Sequence, residues 1–146
     1  SLSGARAKAR DAVLKSDLSQ VKRALELYNS DNGGYPATIY SIAACPGATA
    51  PGGICSATTT YMKRTPVDQL TGLQYQYVKK TSGTLVTDYA IAGDLEDEKV
   101  LPTLTIGTAT AGAGTGVYTC AVAPTNICKY AGGSDSPGKW YQTSND

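Results

Sequence analysis

The chain has 146 residues, a formal net charge of +1, four cysteines and no histidine. This length is typical of a single domain, and the near-neutral charge gives no general reason to expect a nucleic-acid partner. Without histidine, catalytic arrangements that pair it with serine or cysteine are excluded, so we expect a protein that is not an enzyme, with no catalytic or cofactor-binding residue.

The first predicted element is an amphipathic helix over residues 5–30. Its apolar residues recur every three or four positions, which places them on one face as a packing stripe. This helix packing stripe consists of Leu14, Leu18, Val21, Leu25 and Tyr28. The opposite face carries the charged residues Lys8, Asp11, Lys15, Lys22, Arg23 and Glu26. No capping residue is apparent before Ala5, and glycines and a proline within residues 33–36 end the pattern.

The charges of this helix are unequal. Residues 1–30 contain six Lys or Arg against three Asp or Glu, which gives +3 there and −2 over the remainder. A run of acids formed by Asp94, Glu96, Asp97 and Glu98 is the obvious counterpart. The run pairs with the helix either inside one subunit or across a contact between subunits, or it forms a solvated charged turn.

Residues 31–72 are predicted to form a loop region after the helix. It contains Cys45 and Cys55, while Cys120 and Cys128 lie far along the chain. Four cysteines allow three pairings, of which the pairing within each neighbourhood closes two small loops. A zinc site is disfavoured by these spacings and by the absence of histidine. The sequence therefore predicts disulfides, which are typical of proteins outside the cytoplasm.

Residues 73–122 are predicted to form an antiparallel sheet region. Residues 73–77 alternate in polarity and residues 85–92 follow a turn, so the two segments predict a hairpin with Leu85, Tyr89 and Ile91 facing inward. Pro102 makes residues 100–106 an edge strand or an irregular stretch, and residues 108–116 are predicted to be an exposed loop. A last strand is expected over residues 117–122, followed by a C-terminal loop and tail over residues 123–146.

Several segments together resemble one protein family. They are residues 5–12, Asp17 and Leu18, residues 32–36 (Asn-Gly-Gly-Tyr-Pro), residues 65–68 (Thr-Pro-Val-Asp), and residues 88–91 (Asp-Tyr-Ala-Ile) followed by Leu95 and Glu96. This combination resembles type IV pilins and the pseudopilins of type II secretion, over roughly residues 5–98. The resemblance implies an α+β fold with a long N-terminal helix packed on a small antiparallel β-sheet, here with disulfide-bounded loops, in one pilin-like domain over residues 1–146.

The resemblance also implies a missing beginning. In such proteins an apolar, N-methylated helix half lies in the membrane before assembly, and this chain looks like the second half onward. The implied partners are other copies in a helical filament and an assembly platform in the inner membrane. Some major pseudopilins hold calcium in a late loop, which makes Asp94, Asp97 and Asp135 weak calcium candidates here, although their spacing matches no strong calcium motif.

Three functions follow from this reasoning. The first is a structural subunit of a type IV pilus-like extracellular filament that serves adhesion, twitching motility or DNA uptake, which the predicted disulfide loops and the Thr- and Gly-rich later sequence favour. The alternative is a periplasmic pseudopilin of a type II secretion system. A further alternative is a secreted, non-enzymatic binding module on a helical stalk.

Overall fold

The computed structural model describes residues 1–96, 117–120, 128–131 and 140–144. One long helix precedes seven strands in these ranges, which confirms an α+β fold with a helix packed on antiparallel sheets. The elements are α1 (Leu2–Asn32), β1 (Ile54–Cys55), β2 (Thr60–Met62), β3 (Gln76–Ser82), β4 (Leu85–Asp94), β5 (Val117–Cys120), β6 (Cys128–Ala131) and β7 (Trp140–Ser144). The assignment of residues 1–146 to a single domain stays a prediction.

Helix α1 starts earlier than the sequence predicts because Ser1 caps it. The Ser1 hydroxyl accepts a hydrogen bond from the Gly4 backbone N–H at 3.2 Å, so the expectation of no cap before Ala5 is wrong. At the other end Gly33 adopts a left-handed conformation, with φ of 69°, and its N–H donates to the Asn29 carbonyl at 2.8 Å. The resulting helix has 31 residues and is about 46 Å long.

The main sheet has the strand order β3-β4-β7, with antiparallel neighbours. The pairing of β3 with β4 confirms the predicted hairpin. However, β3 begins at Gln76 and not at Leu73, whose side chain is exposed. Strands β1 and β2 lie within the predicted loop region, and β6 and β7 lie within the predicted tail, where no strand was expected. With two and three residues, β1 and β2 are too short to display a period of two. Residues 100–106 and 108–116 lie outside the described residues.

A β-bulge changes which residues of β4 face the core. The register shifts between Lys80 and Thr81, which pair with Asp88 and Val86, so that Thr87 is an extra residue in β4. Val86 is therefore buried, whereas Leu85 is 46% exposed, and the prediction that Leu85 faces inward is wrong. Beyond the bulge, Tyr89 and Ile91 are fully buried.

The core lies between α1, the β3-β4 hairpin and the segment that follows the helix. Its buried members outside α1 include Tyr35, Ile39, Ile54, Tyr75, Val86, Tyr89, Ile91 and Leu95. Gly93 permits the close approach of β4 to the helix, since a Cβ atom there would lie 2.9 Å from Leu14 Cδ1. Among the described residues, we find no helix that combines the length and the apolar character needed to cross a membrane.

Each of the two smaller sheets lies beside or contains one pair of cysteines. Cys45 and Cys55 form a disulfide, with Cα atoms 5.7 Å apart, beside the two-stranded β1-β2 sheet. Cys120 and Cys128 are partners in the antiparallel register of β5 and β6. That register places their backbones opposite each other, as a bond between them requires, and the bond itself stays a prediction.

Candidate assembly surface

Helix α1 presents one face to the core and one face to solvent. The structure buries Leu14, Leu18, Val21 and Leu25 against the sheet, and half-buries Tyr28, whose ring makes an edge-to-face contact with Tyr61 at 5.3 Å. The face turned away from the sheet carries the exposed small residues Ala5, Ala9, Ala12, Ser16 and Ser19. Small side chains allow another helix to approach closely, so this outward face is the natural candidate for contact with a second subunit.

Tyrosine hydroxyls hold the middle of the helix to the sheet. Tyr75 donates to Asp17 Oδ2 at 2.7 Å, and both Tyr35 and Tyr89 donate to Glu26 at 3.1 Å. Burial raises the pKa of the Tyr75 and Tyr89 hydroxyls, and the nearby carboxylates raise it further, so both remain neutral donors. Burial also raises the pKa of Asp17, although the Tyr75 hydrogen bond opposes that shift.

A second group of polar contacts fixes the N-terminal third of α1. Arg10 forms a two-pronged salt bridge with Glu96, with Nε–Oε2 at 2.6 Å and a second hydrogen bond at 2.7 Å. The Glu96 hydrogen bond is the main cause of a raised pKa at Arg10. The backbone N–H of Glu96 also donates to Asp11 Oδ1 at 2.8 Å. Glu96, one residue of the acidic run, therefore pairs with the helix of its own chain.

These contacts correct the charge pattern expected for the helix. The helix pattern predicts Asp11 and Glu26 on the outer face, but Asp11 is 5% exposed and Glu26 accepts hydrogen bonds from two core tyrosines. A periodicity argument misses them because it treats charged residues as outward facing. The available signal was the ten tyrosines of a chain with no phenylalanine, since buried hydroxyl groups need polar partners.

The segment between α1 and the main sheet is fixed by Tyr40. Its hydroxyl donates to the Pro66 carbonyl at 2.6 Å and accepts from the Tyr75 backbone N–H at 2.9 Å. Nearby, the buried Thr65 hydroxyl donates to the Ile39 carbonyl. These bonds set the path of the chain from the helix to β3, so the loop region is an ordered part of the fold.

The calcium candidates are only partly placed by the structure. Asp94 is the last residue of β4, and its backbone pairs with Trp140 of β7. Asp97 and Asp135 lie outside the described residues. Within the described ranges, no group of three Asp, Glu or Cys side chains is arranged to hold a metal ion.

Comparison with known proteins gives one family match. Residues 1–98 match the sequence model of the family described as type II secretion system (T2SS), protein G. The match covers about two thirds of the chain and contains α1, the β3-β4 hairpin and the Arg10–Glu96 pair. No curated protein and no solved structure matches the chain.

Proposed function

The chain belongs to the family of type II secretion system protein G, which is a family of pseudopilins, and we propose that it is a filament-forming pseudopilin of a type II secretion system. The observation that carries the proposal is the family match over the helix and the first hairpin. Proteins of this family are structural and form filaments of many copies together with the secretion machinery. The function is therefore mechanical and needs no catalytic residue.

This proposal reverses the order of the first two functions that the sequence predicts. The disulfide loops and the Thr- and Gly-rich later sequence favoured a type IV pilus, yet loops of that kind are compatible with either filament. The family match names a secretion system, and it rests on the part of the chain that carries the family pattern. We therefore place the subunit in a periplasmic filament, anchored in the inner membrane before assembly.

The outward face of α1 supplies the proposed contact between subunits. Because the inner face of α1 is filled from Asp11 to Leu25, a neighbouring helix would meet that part of α1 on its outer face. The exposed residues Ala9 and Ala12 keep the helix slim where a neighbour would pass. Apolar area buried along this face contributes to assembly in proportion to its size.

A genetic experiment tests the system to which the subunit belongs. Deletion of the gene in its host is expected to retain exported enzymes in the periplasm while twitching motility continues, and the restored gene should return secretion. Loss of twitching with normal secretion would overturn the proposal in favour of a type IV pilus. Normal behaviour in both assays, with loss of a binding activity, would favour the secreted binding module.

A substitution experiment tests the proposed surface. Ala9→Glu or Ala12→Glu places a bulky charge on the outward face, where helix stability changes little but a neighbouring helix is repelled. We expect the variant to fold, to accumulate normally and to block filament assembly and secretion. Thr58→Glu, at an exposed residue between β1 and β2 and not on α1, is the matched control. Normal secretion by both Ala variants would show that this face is not a contact.

A further inference from the structure

A surface cavity of about 280 Å³ lies beside the disulfide-bounded loop. One wall is formed by the small residues 47–50, and the other by Lys63 and Arg64. The cavity is just below the size range of small-molecule pockets. It therefore suits one small chemical group better than an extended ligand.

The wall formed by residues 47–50 is held rigidly. The Cys45–Cys55 disulfide closes the loop that contains it, and the Thr60 hydroxyl donates to the Pro46 carbonyl at 2.6 Å. The Ser41 hydroxyl accepts from the backbone N–H groups of Gly52 and Gly53 at 3.3 and 3.0 Å. The loop therefore has its shape before any ligand arrives, which lowers the entropy cost of binding.

The two walls are also fixed to each other. A Cβ atom at Gly53 would lie 2.4 Å from the Met62 carbonyl oxygen and 2.6 Å from that of Lys63, so only glycine allows the loop to pack against this strand end. The Thr65 backbone N–H donates to the Gly52 carbonyl at 2.8 Å on the far side of Arg64. Lys63 and Arg64 thus lie on backbone that contacts Gly52 and Gly53, in the same disulfide-bounded loop as residues 47–50.

The cavity is positively charged and has no internal counterion. Within the described ranges, the exposed side chains of Lys63 and Arg64 make no hydrogen bond and no ion pair. None of the acidic side chains that the structure describes pairs with Lys63 or Arg64, and each accepts a hydrogen bond from another group in the chain. They are Asp11, Asp17, Glu26, Asp31, Asp68, Asp88 and Glu96.

We propose that the cavity between residues 47–50 and Lys63–Arg64 is an oxyanion-binding site that takes a phosphate or carboxylate group. Arginine can bind such a group through two parallel hydrogen bonds, and lysine adds a point charge. The small residues of the opposite wall let the anion approach the backbone. This site is separate from the outward face of α1 and does not depend on the proposed filament contact.

Titration of the protein with inorganic phosphate, followed by amide NMR shifts at constant ionic strength set with sodium chloride, tests the site. We expect saturable shifts at residues 47–50 and 63–64. A parallel titration with acetate distinguishes the two sources of the oxyanion: tighter binding of phosphate assigns phosphate groups, and equal or tighter binding of acetate assigns carboxylates. Shifts that grow linearly with either anion, without saturation, would overturn the proposal and indicate an adventitious ion only.

Two charge-matched variants complete the test. Lys63→Gln combined with Arg64→Gln should weaken the apparent affinity roughly tenfold or more, because charge-assisted hydrogen bonds are lost. Lys22→Gln combined with Arg23→Gln removes the same charge from α1 and should leave the affinity unchanged. All four side chains lie at least partly in solvent, so both variants should fold. Equal weakening in the two variants would show a general charge effect and overturn the site.

Discussion

At the scale of single residues, the interior of this protein depends on carboxylates that accept hydrogen bonds from tyrosines. Asp17 and Glu26 hold three tyrosine hydroxyls between helix and sheet. A hydrogen bond to a charged acceptor contributes more than one between neutral groups, but burial of the charge opposes that gain. The balance depends on pH, because protonation removes the charge.

Asp17 should make stability decrease as the pH rises. Its pKa is raised in the folded state, mainly by burial, so between the ordinary aspartate pKa and the raised one the folded chain binds more protons than the unfolded chain. The stabilisation from this proton is complete below the ordinary pKa and is lost above the raised one. Asp17→Asn keeps an acceptor for Tyr75 without the charge.

Urea unfolding of wild type and Asp17→Asn at several pH values checks this expectation. The stability of the variant relative to wild type should increase from about pH 3 to about pH 7. Asp31→Asn, at an exposed hydrogen bond from Tyr61, controls for the loss of one surface carboxylate. A difference between Asp17→Asn and wild type that does not change with pH would contradict the assignment.

The helix packing stripe can be tested with two leucines of the same helix. Leu18 is fully buried and Leu27 is 59% exposed. Leu18→Ala should reduce the free energy of unfolding by about 2–5 kcal/mol because it leaves a cavity, whereas Leu27→Ala should cost less than about 1 kcal/mol. Denaturant unfolding measures both. Equal effects would show that the stripe does not carry the packing of α1.

At the scale of elements, sequence periodicity located the helix and the hairpin but not their local geometry. The hairpin was predictable because residues 73–77 alternate in polarity and residues 85–92 follow a Ser-Gly turn. The bulge at Thr87 was not, since an extra residue in a strand leaves no mark on composition. As a result Val86 faces the core and Leu85 faces solvent, whereas the sequence predicted Leu85 in the core.

The glycine in the first turn of α1 and the glycine that caps its C-terminal end should respond in opposite directions to the same substitution. Gly33 has a φ of 69°, which an alanine adopts only with strain, so Gly33→Ala should destabilise the protein by about 1–2 kcal/mol. Gly4 lies inside the first turn, and a Cβ there would meet only Ser1 Oγ at 3.4 Å. Gly4→Ala should therefore stabilise by about 0.5–1 kcal/mol. Thermal unfolding of both variants measures the signs, and equal signs would contradict the assignment of the helix end.

The loop closed by Cys45 and Cys55 should contribute measurably to stability. Replacing both by serine should lower the free energy of unfolding by about 2–3 kcal/mol, because the unfolded chain loses a constraint across a separation of ten residues. The same double variant of Cys120 and Cys128 tests the predicted second disulfide. Peptide mapping without reductant should recover that pair linked, and free thiols there would contradict the prediction.

At the scale of the whole molecule, two separate groups of contacts hold α1 against the rest of the chain. The stripe and the tyrosines hold its middle, while the contacts from Glu96 to Arg10 and Asp11 hold it nearer the N-terminus. The sequence shows the unequal charges on which the contacts of Glu96 depend, but it left open whether those charges pair inside one subunit. The geometry of these contacts depends on Glu96, just after β4 and 86 residues from Arg10 in sequence, and no local pattern specifies that pairing.

Loss of the contacts made by Glu96 should loosen only the N-terminal part of α1. In Glu96→Gln or Arg10→Gln the two-pronged salt bridge is broken, so amide hydrogen exchange should become faster over about the first dozen residues of α1 and stay unchanged near residues 18–28. Lys8→Gln, at an exposed residue of the same turn, is the matched control. Faster exchange along the whole helix would indicate that the helix detaches as one unit.

The positions of these contacts along α1 determine how the molecule responds to a pulling force. Residues 2–10 of α1 contain no buried side chain, so roughly 13 Å of the helix lies beyond the part that packs against the sheet. A pull along the helix axis would load the stripe, the tyrosines and the salt bridge together in shear. A sideways pull on residues 2–10 would act first on the contacts from Glu96 to Arg10 and Asp11. The subunit should therefore resist axial tension far better than bending.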